Sequence, residues 1–334
     1  PANSLAGGGY AVDNSLRFNR ASSDYLNKTL GTPTNNKIWT LSFWIKRSGL
    51  GVTQGIFSSG STTGYMYFPA GDQLQIEQYT GAPQYSIMTN RVFRDTSAWY
   101  HIVVAMDTTQ ATASDRIKLY VNGVQETDIY TGYLYYPALN LNTNINSAVS
   151  HVIGALTTSN NINAYMSETY FIDGQALTPT DFGEFDADSG VWKPIAYSGS
   201  YGTNGFFLSF QDSGSLGTDS SGNANTFTVN NLTSIDQTTD TPTNNFATMN
   251  PLTSYGSVTL AEGNTQVNVA DNTDNCTSTF MVSSGKWYWE GKYTVGASSL
   301  AMVGIRPEGM NYNQINLFNL TGTNQGYYYY ANSG

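Results

Sequence analysis

The chain has 334 residues, a formal net charge of −10 and only 14 Lys+Arg, so it offers no basic, aromatic-interleaved patch for nucleic acid, and no apolar run approaches the ~20 residues that span a membrane. Charged residues make up 11% and hydrophobic residues 40%; the charge is less than half the ~25% of an ordinary domain, and the polar burden falls on Asn, Thr, Ser, Gly and Tyr, which favour strands and turns. Cys276 is the single cysteine and His101 and His151 the only histidines, which excludes an intrachain disulfide and a Cys- or His-based metal cluster.

Residues 1–12 read as a small-residue arm, because the run Ala6 to Gly9 cannot pack and has no fixed backbone angles. Such an arm either stays disordered or orders against a partner, with Pro1, Ala2, Leu5 and Tyr10 as its anchoring residues. The stretch lacks the parts of a signal peptide. With Pro1 read as following a removed initiator Met, export by the general secretory route is not expected.

From Ser15 strand signals are dense. "WTLSFWIK" (residues 39–46) alternates Trp39, Leu41, Phe43 and Ile45 against Thr40, Ser42, Trp44 and Lys46, the period of a half-buried strand. "GIFSSG", "GYMYFP" and "QLQIEQY" are short strand candidates bounded by Gly or Pro, and "WYHIVVAMD" (99–107) reads as an interior strand. In "RIKLYVNGVQE" (116–126) two strand-like halves flank Asn122-Gly123, the dipeptide that a type I′ hairpin turn favours. "AYMSETYFIDGQAL" (164–177) is a further strand and turn, and Thr178, Thr180 and Asp181 suggest one short helical turn after it.

Two more strands are expected at 205–210 and 225–230, joined by a Gly/Ser/Asp loop. Residues 232–250 lose the apolar period and read as a linker. A second β region starts near Leu252, with its strongest strand at 286–295. Short turn-bounded strands without intervening helices predict an all-β protein of sandwich architecture.

"WTLSFWIK", "WYHIVVAMD", "IKLYVNGV" and "AYMSETYFIDGQALT" follow the order and spacing of laminin-G-like, concanavalin A-like jelly-roll domains, which residues 14–185 resemble. "FFLSFQDSGSLGTDSSGNANTFTV" is similar to the opening strands and loop of such domains, displaced here to the end; it is expected to close the first sandwich. "SSGKWYWEGKYTV", "VGIRPEG" and "GYYYYANSG" resemble the start of a SPRY β-sandwich, too short to be whole, so the chain is expected to be the N-terminal part of a longer protein. The expected organisation is an arm (1–12), a laminin-G-like sandwich (13–231), a linker (232–250) and an incomplete SPRY-like sandwich (251–334).

That pairing of modules, joined by "DTPTNNFATMNPL", resembles large appendage proteins of marine bacteriophages. The resemblance implies a non-enzymatic virion protein, a head or tail fibre-like appendage on the particle surface that is released by lysis. It implies docking to other phage structural proteins through the arm, a homotrimer, and contact with host-surface polysaccharide. The alternatives are a polysaccharide depolymerase and a bacterial surface adhesin.

Tyr133, Tyr135 and Tyr136 are the candidate sugar-stacking residues, with interface or core filling as the competing role. No cofactor is expected; calcium is the one ion for which the sequence offers candidate ligands. In "TDSSGNANTF", Asp219 and Asn223 are candidate ligands, but an EF-hand count from Asp219 puts Ala224 where Gly is needed and Asn230 where Glu is needed. The loop is therefore a turn, or supplies two oxygens to a site completed elsewhere; Asp271 and Asp274 have the same status. For glycoside hydrolysis the carboxylates to consider are Glu184, Asp186, Asp188 and Glu168. His101 shares a strand face with Trp99, Val103 and Ala105 and is expected to be a satisfied core histidine.

Overall fold

The structure, a computed structural model, describes residues 9–60, 63–270, 274–293, 301–305 and 327–331. Two compact units divide the chain, Pro1–Phe246 and Ala247–Gly334. Among the described residues there is no α-helix, and no helix is long and apolar enough to cross a membrane.

The strands of the first unit are β1 (Ser15–Phe18), β2 (Tyr25–Thr29), β3 (Ile38–Arg47), β4 (Gln54–Ser59), β5 (Gly64–Phe68), β6 (Gln73–Tyr79), β7 (Pro83–Val92), β8 (Tyr100–Asp107), β9 (Ile117–Val121), β10 (Val124–Gln125), β11 (Ser150–Ile153), β12 (Ala164–Asp173), β13 (Gly183–Phe185), β14 (Trp192–Pro194), β15 (Phe206–Leu208), β16 (Thr228–Asn230) and β17 (Gln237–Thr238). One sheet runs β10-β9-β8-β3-β12-β1-β17, with β15 also on β12; the other runs β16-β2-β11-β4-β5-β6-β7. All pairings are antiparallel, and the two sheets face each other as a jelly-roll sandwich.

The core forms where the period-2 faces meet. β3 sends Trp39, Leu41, Phe43 and Ile45 inward, and β5 and β6 answer with Met66, Phe68, Leu74 and Ile76. Phe57 of the second sheet stacks on Phe171 of the first with ring centroids 6.1 Å apart. Each such side chain removed from water contributes about 1.5–3 kcal/mol. The Asn122-Gly123 turn forms as its sequence predicts, with both residues left-handed (φ 49° and 81°). A Cβ on Gly123 would also lie 2.4 Å from the Trp192 ring, so the turn is glycine for two reasons.

The displaced "opening" segment does join the first sandwich: β15 pairs with β12 in one sheet and β16 with β2 in the other. Two expectations need correction. The alternate face of β3 is not half-exposed; Thr40, Ser42, Trp44 and Lys46 are all buried. And residues 232–246 are no free linker. β17 pairs with β1, and the Lys46 ammonium donates to Asp240 Oδ2 (2.7 Å), Asn245 Oδ1 (2.8 Å) and the Phe246 carbonyl (2.6 Å). Trp99 Nε1–H donates to the other Asp240 oxygen at 3.0 Å. A buried ammonium needs several acceptors to offset its desolvation, and this segment supplies them.

In the second unit β18 (Val258–Ala261) pairs with β19 (Gln266–Val269), and β20 (Ala301–Ile305) with β21 (Tyr327–Ala331). The strand expected at 286–295 does not form over 286–293: no described strand pairs with that stretch, and Trp287, Tyr288 and Trp289 are exposed. Asp271 lies outside the described residues, whereas Asp274 accepts from the backbone N–H of Ser257 (3.0 Å) and Ala270 (3.0 Å).

Candidate functional site

The outer face of the second sheet carries a cleft of about 690 Å³. Its floor follows from strand alternation. With Met66 and Phe68 in the core, Tyr65 and Tyr67 of β5 point outward; with Leu74 and Ile76 in the core, Gln73, Gln75 and Glu77 of β6 do the same. Tyr67 Oη–H donates to Glu77 Oε1 at 3.0 Å and Gln75 Nε2 donates to Glu77 Oε2 at 3.0 Å. One carboxylate is thus held by two side chains, each oxygen keeping room for a further donor. Burial, then the neighbouring Glu77 charge, pushes the Tyr67 phenol well above its ordinary range, so it stays a neutral donor.

Two loops wall the cleft. Residues 128–136 lie along the edge of β7: Tyr130 N–H donates to the Met88 carbonyl and Tyr135 N–H to the Ser86 carbonyl, both at 2.8 Å. This places Tyr133 over the cleft, beside Tyr67. On the other side Leu156, Thr157, Ser159 and Asn160 pass close over β4. They can do so because Gly55 has no side chain: a Cβ there would sit 2.2 Å from the Leu156 nitrogen. Gly55 N–H donates to the Asn160 carbonyl at 2.7 Å.

Of the three candidate tyrosines, then, Tyr133 lines the cleft. Tyr135 and Tyr136 are exposed but lie outside its lining. Sequence reasoning missed Tyr65, Tyr67, Gln75 and Glu77 as site residues. Their alternation marked them as outward-facing, but nothing in it said which outward face stays open.

Asp219 and Asn223 build a corner. Asp219 Oδ1 accepts from the N–H of Phe207 (2.9 Å) and Ser221 (2.9 Å), and Oδ2 from that of Asn225 (2.8 Å). Asn223 Nδ2 donates to the carbonyls of Gly202 (2.6 Å) and Gly205 (2.9 Å). The alternating residues that look like a calcium loop instead tie the 202–205 segment to the loop before β16, through the side-chain amides of Asn223 and Asn225. Among the described residues, no three His, Cys, Asp or Glu side chains gather as for a metal ion.

The carboxylates considered for hydrolysis do not converge on the cleft. Glu184 and Asp186 share the Lys193 ammonium (3.3 and 3.1 Å) on the β13–β14 hairpin, and Asp188 is exposed in its turn. Glu168 is buried in a β12 bulge, left-handed at φ 48°, and accepts from Tyr10 Oη–H (2.8 Å) and Tyr170 Oη–H. Burial raises its carboxyl above the ordinary range against the opposing pull of those phenols. Tyr10, expected to anchor outward, is thus bound to its own sandwich, and Val12 is buried; Pro1, Ala2 and Leu5 lie outside the described residues.

Both histidines are neutral and internal. Trp192 Nε1–H donates to His101 Nδ1 (2.9 Å), so the ring proton is on Nε2 and donates to Ser42 Oγ (2.9 Å). Burial drives the His101 pKa down to about 3. His151 accepts from Asn146 N–H at 3.2 Å and donates to the Val149 carbonyl at 2.9 Å; burial, partly opposed by that carbonyl, lowers it to about 4. Burial likewise pushes the Cys276 thiol up, away from reactivity.

Residues 20–181 match the model of the Concanavalin A-like lectin/glucanases superfamily, a laminin-G type. No curated protein matches the chain. Among solved structures, a heptameric SAP-like pentraxin from Limulus polyphemus is 18% identical, with 50% of this chain and 78% of that one covered and a TM-score of 0.36. A candidate carbohydrate-binding protein from Bacteroides ovatus is 14% identical, over 69% of this chain and 60% of that one, at a TM-score of 0.42. Domain 4 of an extracellular arabinanase from Geobacillus stearothermophilus, in complex with arabinotriose, is 16% identical over 44% and 65%, at 0.32.

Proposed function

We propose that the concanavalin A-like sandwich of this chain is a glycan-binding module whose site is the cleft on the outer face of the β4–β7 sheet. One observation carries the reading: three tyrosines, Tyr65, Tyr67 and Tyr133, gather around a carboxylate fixed by Tyr67 and Gln75. Tyrosine rings offer an apolar face to the C–H face of a sugar and keep a polar edge for its hydroxyls. Carboxylate and amide groups held in place fix the orientation of those hydroxyls.

Binding is favoured over hydrolysis by the chemistry of the lining. Glycoside cleavage needs two carboxylates flanking the bond, and Glu77 is the single acid lining this cleft. The finer reading places the module in a trimeric, fibre-like appendage of a bacteriophage particle, docked through its N-terminal region to other particle proteins and presented to host-surface polysaccharide. It rests on the sequence resemblance alone, as does the SPRY-like reading of the second unit. Absence of the protein from purified particles would sink it, and a solution mass of a monomer would remove the trimer.

The test of the module itself is a glycan array probed with the full chain and with Tyr67→Ala. Wild type is expected to retain a subset of glycans, and the variant to lose about tenfold in affinity, the ~1.4 kcal/mol scale of one central aromatic contact. Equal binding by both proteins would move the site elsewhere.

A further inference from the structure

We infer that this cleft selects neutral glycans and rejects acidic ones, with Glu77 as the residue that sets the choice. The inference rests on the glycan-binding reading above. The lining contains one formal charge, the Glu77 carboxylate, and no Lys or Arg. The phenols of Tyr65 and Tyr67 remain neutral, since burial and then Glu77 raise both. A uronate or sialate carboxylate is ordinarily met by a fork of Arg donors or a Lys ammonium; this cleft offers neither.

The arginines around the cleft already have partners. Arg20 donates from Nη1 to the carbonyls of the lining residue Thr53 (2.7 Å) and of Asn161 (3.1 Å), Arg91 of β7 pairs with Glu126 at 2.8 Å, and Arg94 pairs with the buried Asp72 at 2.9 Å. An acidic sugar would therefore bring its charge beside Glu77 with no Lys or Arg in the lining to pair with it, in a setting where partial burial weakens screening. A neutral sugar loses nothing: its hydroxyls donate to the free lone pairs of Glu77, an acceptor stronger than a neutral amide. The chain's net charge of −10 adds to the bias at long range.

The experiment uses the full chain on an array of matched pairs: lactosyl against sialyl-lactosyl glycans, and neutral glucans against their carboxymethylated forms. Wild type is expected to bind the neutral member of a pair at least tenfold more tightly. The ratio should shrink toward one in 1 M salt and shrink at least threefold in Glu77→Gln, while Glu77→Asp, which keeps the charge, preserves it. Unchanged melting temperatures of both variants exclude misfolding as the cause. Acidic glycans bound as tightly as neutral ones, or a ratio untouched by Glu77→Gln, would overturn the selection but leave glycan binding standing. Binding of neither class by folded wild type would overturn both.

Discussion

The two outer faces of the sandwich start from the same alternating strand chemistry and end differently. On the β3–β8–β12 sheet, Trp44, Trp99 and Tyr165 gather with Trp192 of the returning chain, and Val103, Tyr170 and Ile172 with Phe182. Residues 176–201 and 232–246 lie over that face, and even Lys46 is fully buried. On the β4–β7 sheet Tyr65, Tyr67 and Glu77 stay half-open to solvent. The covered face works for stability, with its polar groups satisfied internally; the uncovered face keeps polar groups that still have bonds to give. A sandwich of this length can devote its chain returns to one face and leave the other for a ligand.

The comparison breaks most severely at Asp240. Asp240→Ala leaves the Lys46 ammonium and the Trp99 N–H without their carboxylate, and is expected to cost about 3–5 kcal/mol in chemical denaturation. The glycan affinity of the remaining folded protein should not change. A loss below about 1 kcal/mol would mean the cover is loosely held.

Acid should attack from within. Both histidines have folded pKa values depressed from the ordinary 6.5, to about 3 and about 4. Their contribution is therefore full above pH 6.5 and lost progressively as pH falls towards those values. About 2 kcal/mol per histidine is expected to disappear between pH 7 and pH 5, read as a falling melting temperature. Glu168 has the opposite sign, since its folded value is raised: its contribution is full below the unfolded carboxylate pKa and declines as pH rises through the folded one. Glu168→Gln should flatten that decline. A melting temperature that does not fall between pH 7 and pH 5 would contradict the histidine assignments.

Gly55→Ala sharpens the comparison from the open side. Its methyl would meet the Leu156 backbone, so the 156–160 wall must move, at a cost of about 1–3 kcal/mol. Here, unlike at Asp240, glycan affinity should fall together with stability. Retained affinity on an array would show the wall is no part of the site. The smallest effect is expected at the corner: Asp219→Ala should cost about 1 kcal/mol through its lost N–H acceptors, and calcium or EDTA should shift neither protein's melting temperature. A calcium-dependent rise in wild type alone would restore the metal reading.

Much of the fold was legible in the residues. The alternation in β3, the long apolar run of β8, the Asn122-Gly123 turn and the strand and turn after Ala164 are all local signals, because side-chain direction in a strand and left-handed backbone in a turn are decided within a few residues. The corner at Asp219 was likewise readable, since an Asp followed by Ser, Asn and Asn caps backbone N–H groups nearby in sequence. The candidate site was readable only in part. Tyr133 was singled out for its tyrosine cluster, while its partners Tyr67 and Glu77 looked like any outward residues of a strand.

What the sequence determined by itself was therefore the strongest strands of the first sandwich, β3, β8, β9 and β12 among them, with their inward faces and the Asn122-Gly123 turn. What only the tertiary structure decided was which outward face is covered and which is open. That choice depends on contacts between residues some 200 positions apart, such as Lys46 with Asp240 and Phe246 (|i−j| of 194 and 200). Local periodicity cannot encode such contacts: a strand's pattern records that two faces exist, and only the path of the returning chain says what lies against each.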